Sequence, residues 1–214
     1  MKAIAINGSP RKAGNTAALL NSALKGAASK GADTEMINLY DLSFTGCVSC
    51  FACKRKDSKL DGLCAVRDDL TEELKTILDC DCLFLGSPIY LGDVSGEMRS
   101  FIERLIFPNL SYDTVHRSLR ERKIPAAFFY TMNVDKTQAA AYGYDAVFSR
   151  IKNLLSIFSS EPETLISYDT YQFSDYSLYN ASKFGEKHKA KIKEERFPIE
   201  LQKAFDIGAR FAVN

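Results

Sequence analysis

The chain reads as an α/β protein, a doubly wound five-stranded parallel sheet with helices on both faces. Two observations predict this. Apolar runs of strand length alternate with segments that are apolar at helical spacing almost from end to end. The strand-like runs, such as Cys82-Leu83-Phe84-Leu85, are continuously apolar rather than half polar, as strands covered on both faces must be.

The first strand is Lys2 to Ile6, and it stops at Asn7-Gly8. A loop of small and polar residues, Gly8 to Gly14, leads into a helix that starts at Asn15-Thr16 and ends at Gly31-Ala32. Thr34 to Leu39 gives a second strand. Residues 46–64 follow as an irregular cysteine-rich loop. Asp68-Asp69 opens a helix from Leu70 to Leu78, with acids where the helix dipole favours them. The third strand, Cys82 to Leu85, ends in Gly86-Ser87-Pro88, and a third helix runs from about Ser95 to Ile106. Ile124 to Thr131 is the fourth strand, residues near 139–159 a fourth helix, and Thr164 to Tyr168 the fifth strand. Pro198, well placed at a helix's first position, opens a last helix that runs to about Ala212. The whole of 1–214 is expected to form one domain, with a helical extension from about residue 180.

Composition narrows the classes. The 28 basic residues nearly balance the 27 acidic ones, so no polyanion such as nucleic acid is indicated. No apolar run is long enough for a membrane span, and the short apolar start before a polar loop does not read as a signal peptide. Six cysteines, four of them within residues 47–64, suit metal or redox chemistry in a reducing, cytoplasmic setting better than a disulfide framework.

The loop between the first strand and helix carries the first chemistry. A strand ending in a tight loop and a capped helix aims backbone N–H groups and a positive dipole end at one point, an anion site. Ser9, Asn15 and Thr16 add short donors, and Arg11 adds a fork suited to phosphate oxygens. A plain strand-to-helix turn needs neither. There is no G-x-G-x-x-G and no Gly-Lys-Ser/Thr, so the phosphate is held by another pattern. The loop Ser87-Pro88-Ile89-Tyr90-Leu91-Gly92 is the second site: Pro stiffens it, and Ile, Tyr and Leu offer a flat apolar surface. In a parallel sheet both loops lie at strand carboxyl ends, where ligands bind. A phosphate tail with a planar body describes flavin mononucleotide.

Taken together, Gly8-Ser9-Pro10-Arg11 with Gly14-Asn15-Thr16, then Gly86-Ser87-Pro88-Ile89-Tyr90, then Ser95 to Arg104, resemble the flavodoxin-like NADPH-dependent FMN reductases. The cysteines narrow the likeness to the iron–sulfur flavoprotein branch. The resemblance implies non-covalent FMN, with Ser9, Arg11, Asn15 and Thr16 on the phosphate. Pro88, Ile89, Tyr90, Leu91 and Gly92 would lie along the isoalloxazine, and Thr131 and Asn133 would face its other side. It implies electrons passing from NAD(P)H or another donor through FMN to flavin, a quinone, an iron–sulfur cluster or another small-molecule or protein acceptor. It also implies a homodimer or homotetramer with flavin sites near subunit interfaces. A flavodoxin-like electron carrier acting with protein partners is the alternative, against which the near-zero net charge counts.

Cys47, Cys50, Cys53 and Cys64 form a C-x2-C-x2-C-x10-C array. Two-residue gaps let thiolates converge, and four complete a [4Fe–4S] cluster. The last gap is longer than in the resembled branch, so a zinc site or free, redox-active thiols stay open as alternatives. Cys80 and Cys82 read as small core residues. His116 and His188 read as surface or satisfied histidines. The mixed charges from Glu186 to Arg196 read as a solvated helix face, and the aromatics Tyr168, Tyr171, Phe173, Tyr176 and Tyr179 as an interface or a lid.

Overall fold

A computed structural model describes residues 1–114 and 118–213; His116 lies outside the described residues. Five parallel strands form the sheet in the order β2-β1-β3-β5-β6: β1 Lys2–Asn7, β2 Asp33–Asn38, β3 Cys82–Tyr90, β5 Ala126–Thr131 and β6 Glu163–Ser167. The fold is flavodoxin-like, with the strand order reversing between β1 and β3.

Helices cover both faces. On one side α1 (Asn15–Ala28) and α7 (Phe197–Phe211) enclose a core of Ala3, Ala5, Leu19, Leu20, Phe84 and Phe129. The other face buries Ile4, Ile6, Leu83, Leu85 and Phe128 under α2 (Leu70–Asp79), α3 (Gly96–Asn109) and α5 (Tyr144–Leu155). Alternate residues of each strand thus enter opposite cores, which is why the runs are apolar throughout.

Three elements differ from the sequence expectation. The third strand extends past Leu85 to Tyr90, because Gly86, Ser87 and Pro88 pair with Phe129, Tyr130 and Thr131 of β5. It then turns at Leu91 and Gly92, φ 49° and 89°, into the short antiparallel strand β4 (Asp93–Val94). Two consecutive left-handed residues are what a two-residue hairpin requires. The expected helix near 139–159 is two helices. Here α4 (Lys136–Ala141) starts at a capping box made by Asp135 and Gln138, and Gly143, at φ 75°, breaks the chain before α5. Finally, Glu186 to Arg196 is helical, α6 (Glu186–Lys191) followed by a π-helical turn, but not wholly solvated. Lys189 is 2% exposed, because its ammonium is ion-paired to Asp169 at 2.5 Å.

Candidate functional site

At the carboxyl ends of β1, β3 and β5 lies a cleft of about 980 Å³, the upper end of the size range for small-molecule sites. Its position is set by the topology: the loop after β1 and the start of α1 face it from the switch point. Ser9, Arg11, Asn15 and Thr16 line one end, Pro88, Ile89 and Tyr90 a wall, and Thr131, Met132 and Asn133 another side. Leu91 and Gly92 lie just beyond, in the hairpin turn, with Leu91 fully exposed.

The phosphate-type loop is shaped by its own polar groups. Ser9 N–H donates to Asn7 Oδ1 at 3.1 Å, Arg11 N–H to Ser9 Oγ at 3.1 Å, and Gly14 N–H to the Arg11 carbonyl at 3.0 Å. Ser95 Oγ, which caps α3 by accepting from Met98 N–H, donates to the Gly8 carbonyl at 2.6 Å and so fixes the loop to β3's hairpin. The first-turn N–H groups of α1 have no acceptors within the helix and remain at the cleft. Thr16 and Thr131 share a buried hydrogen bond of 2.8 Å, which joins the start of α1 to the end of β5.

The far wall comes from the segment after β6. Arg11 Nη1 donates to the Gln172 carbonyl at 2.7 Å and Asn15 Nδ2 to the Tyr171 carbonyl at 2.9 Å. Phe173 and Tyr179 stack at 4.1 Å and 14° on the same side. Sequence reading singled out these aromatics only as an interface or lid. It missed Gln172, Asn180, Phe184, Lys193 and Phe197, which also line the cleft. Only the density of Tyr and Phe just past β6 signals them.

That wall is anchored by a buried charge cluster. Asp169, at φ 58°, pairs with Lys189 and with His188, both at 2.5 Å, and Lys189 also donates to the Asn133 carbonyl. Burial pushes the Asp169 carboxyl up, but hydrogen bonds and charge from Lys189 and His188 outweigh it and leave it below its ordinary range. His188 is therefore a satisfied, partnered histidine.

The four cysteines of the 46–64 loop meet elsewhere. Cys47, Cys50, Cys53 and Cys64 line one small cavity of about 10 Å³, with Phe51, Phe107, Val66 and Arg104 around them. Cys47 and Cys50 are exposed, Cys53 half-buried and Cys64 buried. Burial pushes the Cys53 thiol up, and Lys54, whose ammonium is lowered by burial, donates to the Phe107 and Leu110 carbonyls. Among the described residues no group of three or more His, Cys, Asp or Glu is arranged to hold a metal ion. Cys80 and Cys82 sit in the core, and burial pushes both thiols up to about 12, which leaves them unreactive.

Comparison with known proteins gives a consistent family. An iron–sulfur flavoprotein of Methanocaldococcus jannaschii is 40% identical over 104 residues, 49% of this chain and 51% of that protein. One of Archaeoglobus fulgidus is 35% identical over 106 residues, 50% and 46% of the two chains. The matched stretch thus spans about half the length of these curated relatives. In structure, an NAD(P)H:quinone oxidoreductase from Methanothermobacter marburgensis superposes with a TM-score of 0.69 at 16% identity, covering 98% of this chain and 96% of that one. No helix among the described residues is long and apolar enough to cross a membrane. The model of the NADPH-dependent FMN reductase family matches residues 1–160: the chain belongs to that family.

Proposed function

We propose that the protein is an FMN-dependent oxidoreductase that takes electrons from NAD(P)H or another donor and passes them to a flavin, a quinone or its own cysteine site. The observation that carries this reading is the cleft at the β1/β3 switch point, with a helix N-terminus at one end and a flat apolar wall beside it. FMN, when bound, supplies the chemistry of accepting a hydride and releasing electrons singly or in pairs. The chain's part is to bind, orient and shield it.

The first-turn N–H groups of α1 and the Ser9 hydroxyl would receive the phosphate. Arg11 spends one of its five donors on Gln172, and Asn15 one N–H on Tyr171, so both keep donors for phosphate oxygens. Pro88, Ile89 and Tyr90 would flank the ring system, and the Phe173–Tyr179 stack would exclude water from the far side. No side chain is assigned as acid or base, since the proton and hydride chemistry belongs to the cofactor.

The four thiols fit a [4Fe–4S] cluster by kind, being soft donors gathered round one cavity. That cavity now has about the volume of one water, so a cluster requires the exposed Cys47–Cys53 loop to stand further out. A homodimer or homotetramer is part of the proposal, supported by exposed Tyr90 and Leu91 at the cleft.

The test is the flavin itself. Protein purified without oxygen should show two flavin absorption bands and release FMN, not FAD, on denaturation. Arg11→Ala and Asn15→Ala should each weaken FMN binding roughly 10- to 100-fold, at about 1.5–3 kcal/mol per charged hydrogen bond, and the double variant more, while riboflavin, lacking the phosphate, binds as before. Unchanged FMN affinity in the double variant overturns the assignment.

A further inference from the structure

Every charged side chain in the cleft lining is a cation. Among the described residues Arg11 and Lys193 line it, and no Asp or Glu does. A concave, partly apolar site with cations and no acids focuses a positive potential and favours an anion. Arg11 belongs to the loop after β1. Lys193 comes from the π-helical turn before α7, beyond the stretch that the family model matches.

The basic neighbours of Lys193 are committed to acids. Lys189 pairs with Asp169 at 2.5 Å, Lys191 with Glu195 at 3.9 Å and Arg196 with Glu200 at 3.1 Å. Among the described residues Lys193 is ion-paired to no acid; its ammonium lies over the Tyr171 ring, 4.7 Å from the centroid. That cation–π contact places the charge without neutralising it. Tyr171 is also the residue whose carbonyl accepts from Asn15 Nδ2 at 2.9 Å, and the next carbonyl, of Gln172, accepts from Arg11 Nη1 at 2.7 Å. One tyrosine thus meets the start of α1 through its backbone and Lys193 through its ring. A phosphate monoester carries close to two negative charges at neutral pH, which Arg11 and Lys193 together balance.

We infer that Lys193 is the second cation of the phosphate site, its ammonium reaching the 5′-phosphate of FMN on a flexible stem from beside the Tyr171 ring. The inference rests on the FMN reading proposed above. It adds to that reading a binding residue outside the family match and a task for the turn before α7.

The experiment titrates flavin-free wild type, K193A, K193R and K193E with FMN and with riboflavin, following flavin fluorescence. K191A, which changes a cation outside the cleft, is the control for general charge effects. K193A should weaken FMN binding roughly tenfold, as loss of one charge-assisted contact does, K193E should weaken it further, and K193R should stay near wild type. Riboflavin, which has no phosphate, should bind all four alike. The gap between wild type and K193A should narrow at about 0.5 M salt, where exposed charges are screened. Unchanged FMN affinity in K193A overturns the inference, as does an equal loss of FMN and riboflavin, which would make Lys193 part of the wall only. A loss matched by K191A overturns it too. If K193A keeps its FMN affinity but loses affinity for NADPH and not for NADH, Lys193 serves the second substrate and the inference is likewise overturned. Wild type that binds FMN no more tightly than riboflavin overturns the phosphate-loop reading and the inference together, whereas wild type that prefers FMN with K193A unchanged removes the inference alone.

Discussion

Asp169 shows how much a single side chain does here. It sits in left-handed backbone, buried, between His188 and Lys189, and it holds the segment after β6 against Asn133 and the cleft. Its carboxyl is held below the ordinary value, so the stabilisation is present above the unfolded pKa of about 4 and is lost as pH falls through the lower, folded value. Asp169→Asn should lower stability at pH 7 by about 3 kcal/mol, since it leaves the Lys189 charge buried without its partner. It should also flatten the acid side of the stability curve. Urea unfolding at pH 7 and at pH 3 checks both, and a variant as acid-sensitive as wild type would exclude Asp169 as a source of that sensitivity. Ser9, Arg11, Asn15 and Thr16 were legible as a site because each lies within one strand-loop-helix unit. Lys189 was not, because its partner lies 20 residues back, across a chain reversal.

At the scale of elements, the closest fit is between α1 and α7. A Cβ built at Gly208 would lie 1.9 Å from the Ala23 carbonyl oxygen, and one at Gly26 2.0 Å from that of Phe205. Both obstacles are backbone, so no side chain can move aside. Gly208→Ala should therefore cost about 3 kcal/mol, the upper end of overpacking costs, although alanine favours a helix more than glycine does. Denaturant unfolding reads this directly, and a neutral or stabilising effect would mean the two helices pack less tightly. The sequence predicted α7 from Pro198, but its docking onto α1 is not local information. The same limit explains the helix at 139–159: the periodicity ran on, while Gly143 needed a left-handed turn that stops it.

Across the whole molecule the two candidate centres are separate constructions. The cleft is built on strand ends and α1, the cysteine cavity on the 46–64 loop and α3. Under the cluster reading proposed above, Cys50→Ser should accordingly abolish iron binding while FMN stays bound, measured as iron and flavin per chain. Loss of both would mean that the centres share one folding unit. The family match ends at residue 160, whereas the cleft's far wall comes from residues 170–197, so the part of the chain outside the family model shapes the space over the proposed flavin.

The five strands of the parallel sheet, most of the helices between them and the two loops at its carboxyl edge were determined by the sequence alone, because strand and helix periodicity and turn chemistry act over a few residues. The cysteine spacing likewise marked four thiols as one group. Only the tertiary structure decided that Arg104 and Asp68 stand behind those thiols, that Thr16 reaches Thr131, and that the chain after β6 folds back to meet Arg11 and Asn15. Those contacts join residues 36 to 161 positions apart. The free energy that selects them comes from burying surface shared between distant segments, and no local pattern encodes it.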